Sequence, residues 1–235
     1  MWGWFDPMYF LFLAPGILLA LWAQWRVQSA YQRASRIPAA SGYTGAQAAA
    51  HLLQSAGVPG VRIVPVAGFL SDHYVPGQRI LRLSPQVYGG RSLAALGIAA
   101  HEAGHALQDA QRDPLLILRN GLVPLAGFGS NLSWIIIMVG FVFHSLHLVV
   151  AGIAAFSLVV LFQLVNLPVE FDASRRARIA LVDGGLITSE EDRTVRQVLG
   201  AAALTYVAAT LTSVLTLLYF LFRAGLLGGN HRDHR

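Results

Sequence analysis

No cysteine occurs among the 235 residues. Disulfides and thiolate zinc ligands are thereby excluded, and any metal must be held by His, Asp or Glu. Lysine is absent too, so all 17 basic residues are Arg. Charge of either sign is scarce, at 12% of residues, against roughly a quarter in ordinary soluble domains. Together with 55% hydrophobic residues and a mean hydropathy of +0.54, this scarcity describes a polytopic membrane protein. No internal repeat is present, and the length suits one integrated unit better than an array of modules. A net charge of +5 and a pI near 10.1 would fit a nucleic-acid partner. The Arg residues, however, gather beside apolar runs and lack the aromatic interleaving of a nucleic-acid surface, so none is expected.

Four apolar runs are long enough to cross the hydrocarbon core: residues 8–25, 120–143, 148–167 and 200–222. The first is bracketed by Asp6 and Arg26 and carries Trp22 and Trp25 at its end, as an interfacial belt would. No positive charge precedes it and no small-residue cleavage site follows, which argues against a signal peptide. Between the runs lie a polar portion, residues 26–119, and a second polar stretch of helices, residues 168–198. A Gly-, His- and Arg-rich tail at 223–235 reads as flexible. Within the first polar portion Thr44 can cap a helix that Gly57 ends, and residues 61–66 and 79–83 read as a small β-hairpin with a long connection. Thr188 and Glu191 form a capping box for a helix that continues into the last run. The fold class expected is mainly α, with four transmembrane helices and a zincin-like polar portion.

The stretch that carries chemistry is residues 97–108, where His101-Glu102-Ala103-Gly104-His105 sits in an alanine-rich, helix-favouring run. On a helix, residues four apart lie one turn above each other on the same face. Two imidazoles so placed can grip one Zn²⁺, and Glu102 can act as the base of an open catalytic zinc site. The blander reading is a buried helix with two hydrogen-bonded histidines, which would bury ionisable groups without a metal to justify the cost.

A third protein ligand is needed, and it must lie on the same side of the membrane. Two runs separate His105 from Glu170, an even number, so the chain has returned and both Glu170 and Asp172 are admissible. Asp72 and His73, just ahead of the His101 helix, are further candidates, or simply turn residues. Glu170 also fits a helix-start carboxylate following Pro168. Nine Arg fall in 26–119 and five in 168–198, while the amino terminus and the turn at Ser145 carry none. By the positive-inside rule the polar portions are cytoplasmic and the amino terminus is outside. The tail, with Arg223, Arg232 and Arg235, runs mildly against that assignment. His144 and His147 read as interfacial, His231 and His234 as solvated, and Arg175 and Arg176 as membrane-flanking charge or as contacts for a substrate carboxylate or lipid phosphate.

Five runs resemble one family: Ser71-Asp72-His73-Tyr74, Leu81-Arg82-Leu83-Ser84, residues 99–108, residues 166–174 and Ala203-Leu204-Thr205-Tyr206-Val207-Ala208. They are similar, in order, to the YugP-type bacterial membrane neutral zinc metallopeptidases. More distantly, His101-Glu102-x-x-His105 followed by Glu170-x-x-x-Ser174 resembles the HtpX/Ste24 membrane gluzincins. That resemblance implies Glu170 as the third zinc ligand and a multi-pass protein of the bacterial inner membrane. Those proteases place an Asp four residues after the ligand to orient a histidine. Ser174 stands there in this chain, with Asp172 two residues after Glu170, so both are candidates for that supporting role.

The function expected is peptide-bond hydrolysis at the cytoplasmic membrane surface, with one Zn²⁺, Glu102 as general base and a peptide or membrane-protein substrate beside the lipid bilayer. His73 and Tyr74 are candidates for contacts to substrate or to the oxyanion, and the strand ending near Ser84 could pair with an extended substrate. The alternative is a non-catalytic scaffold or chaperone-like membrane protein with a structural metal site, which would show a fourth protein ligand. Metal transport would need ionisable residues along the spans. Gln163, Asn166 and hydroxyls are what the spans offer.

Overall fold

The computed structural model describes residues 7–227; His231 and His234 and most of the tail lie outside the described residues. Element order is α1 (Pro7–Ala34), α2 (Gly45–Ser55), β1 (Arg62–Pro65), β2 (His73–Val75), β3 (Ile80–Leu83), α3 (Pro85–Tyr88), α4 (Leu93–Ala110), α5 (Pro114–Val142), α6 (Leu146–Asp183) and α7 (Ser189–Arg223). Four of these, α1, α5, α6 and α7, are long and apolar enough to cross a membrane. The protein is mainly α and polytopic.

Two compact units divide the chain. The first takes residues up to Leu21, Leu118–Leu167 and the chain from Tyr206 on. Its core joins Ile137, Val149, Ile153, Tyr219 and Phe220. Helices α5 and α6 meet through glycines: a Cβ on Gly152 would fall 2.5 Å from Ile137 Cγ1, and one on Gly140 would fall 2.7 Å from the Val149 nitrogen. Small residues at such crossings let helix backbones approach where the hydrophobic effect does not press them together. Outward-facing Leu11, Leu18, Phe128 and Phe143 are exposed, as lipid-facing side chains are. Within this unit Arg119 donates to Asn166 Oδ1 at 3.0 Å and Asn120 Oδ1 at 3.1 Å.

The second unit, Trp22–Ile117 and Pro168–Thr205, contains the polar portions. Its central element is α4, capped by Ser92, whose side chain accepts from the Ala95 N–H. One face of α4 packs Leu93, Leu96 and Ala100 with Leu52, Leu181, Val195 and Leu199. The other packs Ala99, Ala103 and Leu107 with Leu53, Leu81, Leu83 and Val87. Alanine predominates on the second face, through Ala99, Ala103 and Ala106, so neighbouring backbones come close there. At Gly104 the approach is tightest, since a Cβ there would lie 2.7 Å from the Ala173 carbonyl oxygen of α6.

Thr44 caps α2 with a full capping box to Gln47, and Thr188 caps α7 with Glu191. The Glu191 carboxylate also accepts from the Ala40 N–H at 2.8 Å. Arg178 donates to Asp192 Oδ1 at 2.8 Å, fixing the end of α6 to the start of α7. Two expectations change. Residues 61–66 and 79–83 do not form a hairpin with each other. The sheet order is β1-β3-β2, with β1 parallel and β2 antiparallel to β3. An extra strand between them reverses the chain twice, so β1 and β3 must point the same way. Pro168 likewise does not open a new polar helix; it lies inside α6, which runs from Leu146 to Asp183 without a break.

Candidate metal centre

Three side chains from two helices converge in the second unit. His101 and His105 come from successive turns of α4, with ring centroids 4.8 Å apart. Glu170 comes from α6, three residues beyond the apolar run 148–167. Its Oε2 lies 3.2 Å from His101 Nε2 and 3.6 Å from His105 Nε2. Ligand atoms of all three lie within 4.8 Å of one another. Among the described residues no other group of three or more His, Asp or Glu side chains meets in this way. Glu170 is 2% exposed, so its carboxylate is not a solvated helix-start charge.

Each imidazole is held by its far nitrogen. Ser174 Oγ is 3.1 Å from His101 Nδ1, and Gln108 Oε1 is 2.9 Å from His105 Nδ1. Both Nε2 atoms therefore face Glu170 with their Nδ1 atoms already engaged, the pattern by which supporting residues orient metal-binding histidines. Burial alone would raise the pKa of Glu170, yet the hydrogen bond from His101 and the adjacent His105 imidazole hold it well below the usual carboxylate range. For His105 burial opposes the charge, but the adjacent Glu170 carboxylate and the charge of Glu102 raise its pKa above the ordinary imidazole value. The cluster favours positive charge at its centre. Two imidazoles and a buried carboxylate are also a donor set suited to zinc, so the residues fit the metal.

Glu102 is buried on the same helix, next in sequence to His101. Asp172 does not join the trio. Its Oδ2 accepts from Gln108 Nε2 at 3.0 Å and from Arg176, and its Oδ1 accepts from Arg175. Burial of Asp172 is outweighed by Arg175, Gln108 and Arg176, which hold its carboxyl below the usual range. Asp172 thus touches Gln108, and Ser174 touches His101. Arg176 also donates to Gln111 Oε1, so these arginines have partners within the protein.

The residues ahead of α4 are committed elsewhere. Asp72 Oδ1 accepts from the Ser84 N–H at 2.7 Å, and Ser84 Oγ donates to both of its oxygens. Burial raises the pKa of Asp72, with the Ser84 hydrogen bonds opposing. The Tyr74 hydroxyl donates to Asp109 Oδ2 at 2.8 Å; burial and that carboxylate hold it protonated far above the usual phenol range. His73 Nδ1 donates to the Ser71 carbonyl at 2.7 Å. Asp72, His73 and Tyr74 are not brought into the trio. Gln108, 1% exposed, is the residue that sequence reasoning missed. Its one signal is position: three residues after His105 it shares that histidine's helix face.

Residues 9–225 match the family described as "Putative neutral zinc metallopeptidase". The chain is 45% identical over 214 residues to "Putative membrane protease YugP" of Bacillus subtilis (strain 168), covering 91% of this chain and 95% of that protein. No solved structure matches. A convergent His-His-Glu set, four membrane-length helices and a match along nearly the whole chain agree, and the chain belongs to this neutral zinc metallopeptidase family.

Proposed function

We propose that the protein is a zinc-dependent endopeptidase of the bacterial inner membrane, hydrolysing peptide bonds of a peptide or membrane-protein substrate at the cytoplasmic membrane surface. The whole chain would serve as one protease domain. The observation that carries this reading is the meeting of His101 and His105 of α4 with Glu170 of α6, all ligand atoms within 4.8 Å. His101 and His105, as neutral imidazoles through Nε2, and Glu170 through its carboxylate would hold one Zn²⁺. The bound ion supplies Lewis acidity that makes water more acidic and polarises a carbonyl. Glu102 takes the proton of the attacking water and delivers it to the departing amine, one carboxylate serving as base and then acid. Among the described residues no fourth His or carboxylate joins the set, which supports a catalytic centre with an open position over a structural site in a scaffold.

The test uses the purified full chain and an unfolded protein substrate in detergent or vesicles. Cleavage should cease on chelation and return with zinc. Glu102→Gln should bind zinc as the parent does and lose about 10²–10⁴-fold in rate. A zinc-loaded Glu102→Gln protein that cleaves at the parental rate would sink the mechanism. Zinc binding without cleavage of any substrate would favour the scaffold.

A further inference from the structure

We propose that Gln108 is a positioning residue that fixes His105 in the tautomer needed to bind zinc through Nε2, and that α6 dictates the orientation of its amide. The inference rests on His105 being a zinc ligand, as proposed above. A primary amide has a donor end and an acceptor end, and which end faces a neighbour is set by the groups around it. Gln108 Nε2 is 3.0 Å from the Val169 carbonyl oxygen and 3.0 Å from Asp172 Oδ2. A carbonyl and a carboxylate can only accept, so both partners demand the NH₂ end. Oε1 must then face His105 Nδ1, at 2.9 Å. An amide oxygen can only accept, so Nδ1 keeps a hydrogen, and in the neutral ring that zinc would bind the lone pair falls to Nε2, the nitrogen that faces Glu170.

Every link in this chain is buried or backed. Gln108 is 1% exposed and Val169 also 1%, so water offers the amide no competing partner. The Asp172 carboxylate is held in turn by Arg175 and Arg176. Val169 and Asp172 flank Glu170 in sequence, so the segment of α6 that brings the third ligand also selects the tautomer of the second. His101 is treated differently: a serine hydroxyl donates or accepts by rotating, so Ser174 leaves that imidazole free to adopt either tautomer.

Zinc affinity of the full chain, measured by competition with a chromophoric chelator, tests this beside the thermal midpoint of the metal-free protein. Gln108→Leu should weaken zinc binding about 10–100-fold. The pair Gln108→Glu with Asp172→Asn keeps an acceptor towards His105 and a donor at position 172, while losing the hydrogen bond to the Val169 carbonyl. It should bind zinc severalfold more tightly than Gln108→Leu, a partial rescue that a purely space-filling role for Gln108 would not give. Parental affinity in Gln108→Leu overturns the proposal, as does a folded double variant that binds as weakly as folded Gln108→Leu. Where Gln108→Leu does not fold, the unbranched Gln108→Met, which also lacks the amide, replaces it: a loss of about tenfold or more supports the proposal and parental affinity overturns it. His105→Ala separates the two readings. If it retains stoichiometric zinc, the metal site itself is wrong; if it loses zinc while Gln108→Leu keeps it, only the positioning role fails.

Discussion

At the scale of single residues, the two histidines differ in how firmly they are supported, and the difference has a measurable size. Ser174 makes one neutral hydrogen bond to His101 Nδ1 at 3.1 Å, and such a bond contributes about 1 kcal/mol net. Ser174→Ala should therefore weaken zinc binding by only about fivefold, read by chelator competition, well short of the loss expected at Gln108. A larger loss would mean that the hydroxyl does more than orient the ring. The pairing of His101 with His105 was legible in the sequence because the two lie four residues apart on one helix. Glu170 was reached by membrane parity and by resemblance, not by local pattern. Gln108 carries no charge and no motif, so the role proposed for it rests on the two acceptors that α6 places beside it.

At the scale of elements, the site depends on how closely α4 and α6 approach. An added Cβ at Gly104 would fall 2.7 Å from the Ala173 oxygen and 3.3 Å from its carbonyl carbon and Cα, all backbone atoms that cannot rotate away. Gly104→Ala should displace α6 and with it Glu170. The expected result is a loss of about 1–3 kcal/mol in stability, as for other overpacked contacts, and at least tenfold weaker zinc binding. The control is Gly200→Ala on α7, where nothing lies within 4 Å of the added Cβ. Mid-helix replacement of glycine by alanine should there raise stability by about 0.5–1 kcal/mol and leave zinc binding unchanged. Thermal unfolding of the two variants with matched zinc titrations checks both. Helix caps were legible for the same local reason as the zinc motif: Thr44, Thr188 and their partners lie within one turn. The sheet was not, because β2 is three residues long, too short for alternation to register. Nor was the continuity of α6 across Pro168. Proline removes a single backbone N–H, and a helix buried among neighbours can absorb that loss.

At the scale of the whole molecule, the meeting of His101, His105 and Glu170 imposes a topology that can be tested without reference to zinc. His105 and Glu170 meet, so the segments that carry them must open to the same aqueous side, with an even number of crossings between them. Helix α5 and the first part of α6 supply two. In the proposed reading that side is cytoplasmic, as the arginine distribution predicts. Because the chain has no cysteine, single cysteines can be introduced without background. Gln54 near the end of α2, Ser189 at the start of α7 and His147 by the turn between α5 and α6 are exposed and outside the ligand set. A membrane-impermeant maleimide applied to intact spheroplasts should label His147→Cys and spare Gln54→Cys and Ser189→Cys; permeabilised cells should label all three. Labelling of both Gln54→Cys and Ser189→Cys from outside, with His147→Cys spared, would invert the orientation and leave the site assembled on the opposite face. Labelling of one of them without the other would be more damaging, because α4 and the Glu170 segment of α6 could then not share an aqueous compartment, and the three ligands could not meet.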